Sequence, residues 1–391
     1  MRLLRTNLTY NDVKPRLKEL IDLLFQYVPA GVGVTAFEEA KGFFQLKPNE
    51  FRELVDSGGG AKWLVEKGYG WKEDLERTEL NGSSKDADSS KISQTVVKRG
   101  LNQVGTLGSG NHYLEIQVVK PENIFDEHIA KSWGLFPNQI VIMFHCGSRG
   151  AGHQIATDYL NLFLQVMERK YGIKILDREL ACAPFNSPEG QDYYKAMMCG
   201  VNMSFANRQT IVHRIREVFS KVFKQDAENL GMHQIYDIAH NRGSFEKHRI
   251  DGEMKELIVH RKGATASFGP GREEIAPLYR NQGQPVIIGG SMETGSYLLI
   301  GTEKAAETFF STCHGSGRTM SRTKARRMFR GDTLLKEMEQ RGIYVRSASM
   351  SGVAEEAGPA YKSIDEVVLT AELAGISKRL VRLVPLGNIK G

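Results

Sequence analysis

The chain has 391 residues, 41% hydrophobic and 25% charged, which excludes a disordered polymer and allows a sizeable buried core. Its 52 Lys and Arg against 46 Asp and Glu leave a net charge of +6, which permits a polyanionic partner without requiring one. The 4 cysteines are too few for a disulfide framework, no apolar run reaches the roughly 18 residues of a membrane helix, and the first residues carry no signal-peptide core, so the expectation is a cytoplasmic enzyme or binding protein with no membrane partner.

Apolar positions recur at helical spacing over residues 12–28, and a second helical stretch over 36–70 is interrupted at Gly58-Gly59-Gly60. Residues 81–93 are polar and turn-rich, as in a mobile surface loop. The glycine-rich stretch Gly105–Gly110 leads through Asn111 and His112 into the alternating run Tyr113–Val118, which reads as a strand. Residues 139–144 read as a buried strand ending at His145, with Gly147, Gly150 and Gly152 behind it. Helices are expected at about 153–170 and over 189–225, and short strands at 256–260, 285–290 and 296–301. Helix and strand mix without a regular βαβ rhythm and no repeat appears, so the expected class is α+β.

Four of the ten histidines share one kind of setting. His112, His145, His240 and His314 each lie at or beside a strand end or a glycine turn, where a rigid scaffold presents reactive groups. A neutral imidazole binds Mn, Zn, Fe or Ni and is also a nucleophile. Taken singly, each is more often a hydrogen-bonded structural residue; taken together they favour a shared site, although their spacings match no zinc finger. His128, His213, His233 and His248 read as structural, and His153 and His260 stay ambiguous. Cys146 and Cys313 adjoin His145 and His314, and with Cys182 and Cys199 they read as core-facing. Backbone N–H groups of GTLGSGN, GSRGAG and HGSGR suit oxyanions, yet none of these loops fits a Walker A or Rossmann pattern. Basic residues from Arg318 to Arg327 form either a solvated helix face or a grip on a phosphate backbone.

The segments GTLGSGNHYLEIQ (105–117), FHCGSRGAGHQ (144–154), YDIAHN (236–241), VHRKGAT (259–265), PVIIGGSMETGSYLLIG (285–301), STCHGSGRTMSR (311–322) and PLGNIKG (385–391) resemble RtcB-type RNA-splicing ligases, in order and over nearly the whole chain. The resemblance implies one RtcB-like domain over 1–391, with a mixed or antiparallel sheet core surrounded by helices. It also implies a GTP- and Mn(II)-dependent enzyme of tRNA splicing and RNA repair, joining an RNA 2′,3′-cyclic phosphate or 3′-phosphate end to a 5′-hydroxyl end. By motif, His314 would take GMP as a phosphoramidate, His112 would bind one manganese, and His145 and His240 the other. Asn111 and Asn241 would meet phosphates; Tyr113, Glu115, Ser291, Ser296, Tyr361 and Lys390, with the turn Gly315-Ser316-Gly317, would form the guanylate pocket. Arg149, Lys262 and Arg322 would contact RNA phosphates, and an archease-type activator would be a possible partner beside the RNA itself.

One departure from the family pattern stands out. The resemblance places an Asp-x-x-Cys segment, carrying a metal-ligating Asp and a bridging Cys, just ahead of the stretch matching Met1–Asn7, which leads to the expectation of a chain lacking its N-terminal portion. Such a chain would be short of metal ligands and inactive alone, unless residues such as Asp237 or Cys146 completed the site. Two other readings stay open: a metal-dependent phosphodiesterase acting on RNA ends, and a non-catalytic RNA-binding remnant. A guanylate pocket and a nucleotide-bearing histidine argue for the ligase, because a hydrolase needs neither.

Overall fold

The computed structural model describes residues 1–31, 41 and 44–391. Its main sheet runs β4 (Gln234–Asp237), β1 (Arg2–Thr9), β3 (Gln139–His145), β2 (Tyr113–Ile124), β12 (Ser377–Lys390), β9 (Ser296–Gly301) and β8 (Pro285–Gly289). Every neighbouring pair along that path is antiparallel. One further strand, β11 (Tyr344–Ser347), lies parallel on β12, so the sheet is mixed and the α+β expectation holds. Two small ribbons stand outside it: β5 (Asn241–Ile250) with β6 (Glu253–Lys262), and β7 (Ala264–Ala266) with β10 (Ser311–Cys313).

Strand alternation explains which residues go where. Side chains of β2 and β3 point alternately to opposite faces, and Leu114, Ile116, Ile142 and Phe144 enter one apolar cluster with Ile211, Ile215 and Phe219 of the long helix Pro188–Phe223. Tyr113, Val141 and Met143 belong to the opposite face, packed with Leu298 and Leu383. Glu115 and His145 lie on that second face by the same period. The register pairs Tyr113 with His145, Asn388 with Glu115 and Lys390 with Tyr113, which gathers polar residues of three strands on one patch of the sheet.

The long helix starts at Pro188, whose missing N–H costs nothing in the first turn, and is capped by Ser187, which accepts from the Gly190 N–H at 3.1 Å. Its middle carries buried polar residues that tie loops to the core. Asn207 donates to the carbonyls of Thr106 (3.1 Å) and Gly147 (2.9 Å) and accepts from the Thr106 N–H (3.0 Å). The glycine-rich loop at 105–110 and the exit of β3 are thereby held to one amide.

Several expectations need correction. The helix over 12–28 is broken by a 3-10 turn at Lys14–Arg16, because Pro15 cannot continue an α-helical ladder, and resumes as Leu17–Tyr27. Of the stretch 36–70, residues 36–40 and 42–43 lie outside the described residues; helices follow at Pro48–Val55 and Ala61–Glu66, with the break at the three glycines as read. The 81–93 segment is no free surface loop. Ser84, Ala87, Ser89 and Ile92 are buried, the Ser84 N–H donates to Asn202 at 2.7 Å, and the Ser89 N–H donates to Asp56 at 3.0 Å. Of the cysteines read as core-facing, Cys146 and Cys199 are buried and Cys313 is half-buried, but Cys182 is exposed, lying in an irregular stretch ahead of the long helix.

Candidate active site

β3 delivers His145 at its C-terminal end, and the segment after β4 delivers His240 directly ahead of the β5–β6 ribbon. Their Nε2 atoms face each other at 3.3 Å. His112 sits on the other side of His145, with ring centroids 5.3 Å apart, while His314 stacks on His240 at 4.6 Å with an interplanar angle of 10°. The four rings therefore form one continuous cluster. Burial disfavours the charged form of each. It holds His145 and His240 well below the ordinary imidazole range and, with Arg149 alongside, lowers His112 to about 3. His314 is lowered as well, by burial, against the opposing pull of the Gly263 carbonyl. Neutral rings have lone pairs to offer.

The proton on His314 is assigned by its partner. Nδ1 lies 2.7 Å from the Gly263 carbonyl oxygen, which only accepts, so Nδ1 carries the hydrogen and Nε2 keeps the lone pair. Gly263 has φ +69°, a left-handed conformation that glycine adopts freely. Its N–H donates to Asn241 Oδ1 at 3.2 Å and to the His240 carbonyl at 3.0 Å, so the base of the ribbon orients both histidines.

Beside this cluster lies a first cavity of about 180 Å³. Asn111, Tyr113, Glu115, Ser291, Tyr361 and Lys390 line it, together with His145, His314, Arg322 and the turn Gly315–Gly317. Ser296 lies in the adjoining sheet, where its hydroxyl accepts from Gln117 Nε2 at 3.2 Å and joins the support of Glu115. Glu115 accepts from Gln117 and Asn388, each at 2.6 Å, and burial pushes its carboxyl up to about 7 despite Lys390 nearby. The Ser316 hydroxyl is buried without a partner among the described residues, and the Gly289 N–H donates to the His314 carbonyl at 3.2 Å. A Cβ on Gly289 would meet the Tyr113 hydroxyl at 2.4 Å, so the close approach of that ring requires glycine.

Sequence reasoning missed the residue that organises the far wall. Glu356, 3% exposed, accepts from the Tyr361 hydroxyl, pairs with Lys390 at 3.3 Å, and accepts from Arg318 at 3.2 Å. Burial alone would raise its carboxyl; Lys390, Tyr361 and Arg318 outweigh burial and hold it low. Its sequence context, Ala354-Glu355-Glu356-Ala357, gives no signal beyond proximity to Tyr361.

The remaining expected residues separate. Asn241 and Lys262 line a second cavity, on the His240 side of the cluster, rather than the first. Arg322 stands at the first cavity, 3.8 Å from Glu356. Arg149 is turned inward: its guanidinium donates to Thr106 Oγ1 at 3.1 Å and reaches His112 Nδ1 at 3.3 Å, packed over Gly108. Asp237 is engaged by two guanidiniums, Arg2 Nε at 2.7 Å and Arg208 Nε at 2.8 Å, and Cys146 is buried against Asn207.

The donor chemistry suits a divalent cation in part. His145 and His240 present two neutral imidazole nitrogens to one point. With Nδ1 accepting from Arg149, the other nitrogen of His112 bears the proton, so that ring is not set as a ligand in this arrangement. Among the described residues, no three His, Cys, Asp or Glu side chains make a ready metal site. An open metal centre usually keeps about three protein ligands, so the pair is a partial one.

An imidazole with a fixed tautomer and a free lone pair, beside a polar cavity with a buried carboxyl floor, defines a polar, histidine-lined pocket on a mixed α+β scaffold. The family described as tRNA-splicing ligase RtcB matches residues 1–391, and the chain belongs to that family. Among curated relatives, the tRNA-splicing ligase RtcB of Pyrococcus furiosus is 53% identical over 394 residues, covering 100% of this chain and 39% of that protein. Those of Archaeoglobus fulgidus and Thermococcus kodakarensis are 50% and 48% identical, covering 100% of this chain and 79% of each protein. The chain thus spans well under half the length of the Pyrococcus protein. Among the described residues, no helix is long and apolar enough to cross a membrane.

Proposed function

We propose that this chain carries the nucleotidyl-transfer centre of a GTP-dependent RNA ligase, joining an RNA 3′-phosphate or 2′,3′-cyclic phosphate end to a 5′-hydroxyl end. The carrying observation is His314: Nδ1 is committed to the Gly263 carbonyl, which leaves Nε2 as the free lone pair beside the first cavity. In this reading the guanine N–H donors meet the Glu115 carboxylate in the cavity that Tyr113 and Tyr361 also line, and Lys390 and the Gly315–Gly317 turn supply donors. Nε2 of His314 attacks the α-phosphorus of GTP; an N–P bond forms and the bond to pyrophosphate breaks. The RNA 3′-phosphate then takes GMP from the histidine, and the 5′-hydroxyl oxygen attacks the activated phosphate and expels GMP. His145 and His240 would hold Mn(II), with His112 joining them if Arg149 moves off its ring; the ion would supply Lewis-acid polarisation of phosphoryl oxygens.

The test is direct. Incubated with α-labelled GTP and Mn(II), the protein should acquire one acid-labile GMP, mapped by mass spectrometry to His314. An adduct on a lysine, or one that persists in His314→Ala, overturns the reading.

A further inference from the structure

Beneath the first cavity the sheet carries two buried amides whose side chains converge on one carboxyl. Gln117 stands two residues beyond Glu115 on β2, hence on the same face, and Asn388 of β12 is the register partner of Glu115. Both are fully buried, and neither lines the cavity. Asn388 Nδ2 donates to Glu115 Oε1 and Gln117 Nε2 donates to Oε2, each at 2.6 Å. Gln117 Nε2 also donates to Ser296 Oγ of β9, so three neighbouring strands hold the group. With one amide on each oxygen, the carboxyl plane cannot turn without breaking a hydrogen bond.

The other ends of these amides are informative. Gln117 Oε1 and Asn388 Oδ1 have no partner among the described residues, and a buried acceptor left bare costs free energy. Both amides nevertheless turn their N–H groups toward Glu115, the arrangement that suits an acceptor-only carboxylate. A protonated Glu115 would have a hydrogen to give and would be better served by the two bare oxygens. Burial is the largest influence on that proton and favours keeping it; the Gln117 amide leads the groups that oppose burial, ahead of Lys390 and Asn388. An ionised carboxylate has about four lone-pair sites, two on each oxygen. The amides take one on each, which leaves one on each for the cavity. A ligand edge with two adjacent N–H donors fills both, and an edge with a single donor leaves one empty.

We propose that Gln117 and Asn388 are the positioning residues that make this pocket specific for guanine: without touching the nucleotide, they hold both Glu115 oxygens for the paired N1–H and 2-amino donors of the base. The assignment rests on the ligase reading and adds to it the source of base selectivity.

ITP, which differs from GTP only in lacking the 2-amino group, is the probe. Transfer of nucleoside monophosphate to the full chain would be followed with Mn(II) under single-turnover conditions, over a range of GTP or ITP concentrations. In the wild type the half-saturating concentration should be at least tenfold lower for GTP than for ITP. Gln117→Met and Asn388→Leu, similar in volume but without donors, should each narrow that gap to threefold or less by weakening GTP, while the maximal transfer rate with GTP changes less than threefold. A pH series separates positioning from packing. The titratable groups acting on Glu115 are Lys390 of β12 and Tyr113 of its own strand, and both variants keep them. Losing a donor to the carboxylate disfavours its charged form, so the strengthening of GTP binding should move to higher pH in both variants. Circular-dichroism melts check folding; either variant carries the test alone, and Gln117→Asn, which draws the amide back by one methylene, replaces them if both fail to fold. A GTP preference and pH profile that survive the substitutions, an equal weakening of GTP and ITP, or a wild type that takes ITP as readily as GTP overturns the assignment and leaves the ligase reading standing. Absence of any transfer in the wild type overturns the ligase reading, and this assignment with it.

Discussion

The two cavities flanking the histidine cluster treat negative charge in opposite ways. The first contains Glu115 and Glu356 among its cations, whereas the second, among the described residues, has four Arg or Lys and no carboxylate in its lining. A wall that mixes acceptors and donors can read a group that itself donates and accepts, such as a purine edge. A wall whose charges are all positive takes anions of almost any shape. The first cavity therefore mixes signs at its surface, and the carboxylates that serve the second stand behind it: Asp237 holds Arg2 and Arg208, Glu246 pairs with Arg261, and Glu79 lies 3.4 Å from Arg242.

The largest effect should come from removing the first of these carboxylates. Asp237→Ala leaves two buried guanidiniums without a counter-ion and should destabilise the fold by about 3–5 kcal/mol, measured by urea denaturation. A loss below about 1 kcal/mol would mean that the network behind the second cavity is not what holds Arg208 in place.

A somewhat smaller effect sharpens the first cavity. The Glu115 carboxyl is raised from 4.5 to about 7, so the folded state binds its proton more tightly than the unfolded chain. Stability from this group is fully present below pH 4.5 and is lost as pH rises to about 7, on the order of 3 kcal/mol in total. Glu115→Gln should flatten that part of the stability profile. In the wild type, GTP binding should strengthen as pH climbs through 7, because the carboxylate form is the acceptor; an unchanged pH profile in Glu115→Gln would count against Glu115 as the base-reading group.

The smallest effect concerns fit. In Gly289→Ala the new Cβ, 2.4 Å from the Tyr113 hydroxyl, should shift that ring and cost about 1–3 kcal/mol. GTP affinity should fall about tenfold while binding of 3′-phosphorylated RNA is unchanged. Equal losses of both would show that the two cavities do not act separately.

Much of this was legible in the sequence where local rules and tertiary demands agree. The buried strand ending at His145, the strands at 285–290 and 296–301, and the alternation that puts Tyr113 and Glu115 on one face all follow from apolar periodicity. The strand β12, which joins the two halves of the sheet, was not legible: Ser377–Lys390 intersperses four cations and carries Pro385 and Gly387, residues that argue against an interior strand. The structure absorbs them with register shifts between Val381 and Leu383 and between Pro385 and Gly387. β1 was missed for a similar reason, since Arg2 looks solvent-facing until Asp237 supplies its partner from 235 residues away. Glu356 and the inward turn of Arg149 likewise depend on contacts that no local pattern encodes.

The β5–β6 ribbon has a consequence of its own. Its ten cross-strand pairs run from Asn241 opposite Lys262 to Ile250 opposite Glu253, and the Gly263 carbonyl that fixes the proton on His314 follows directly from that alignment. A slip of one residue would turn Lys262 to the other face and carry the carbonyl off the imidazole. The tautomer of His314 is thus a readout of ribbon alignment, and sequence changes at the far turn, around Asp251 and Gly252, reach its ring by miscounting rather than by contact.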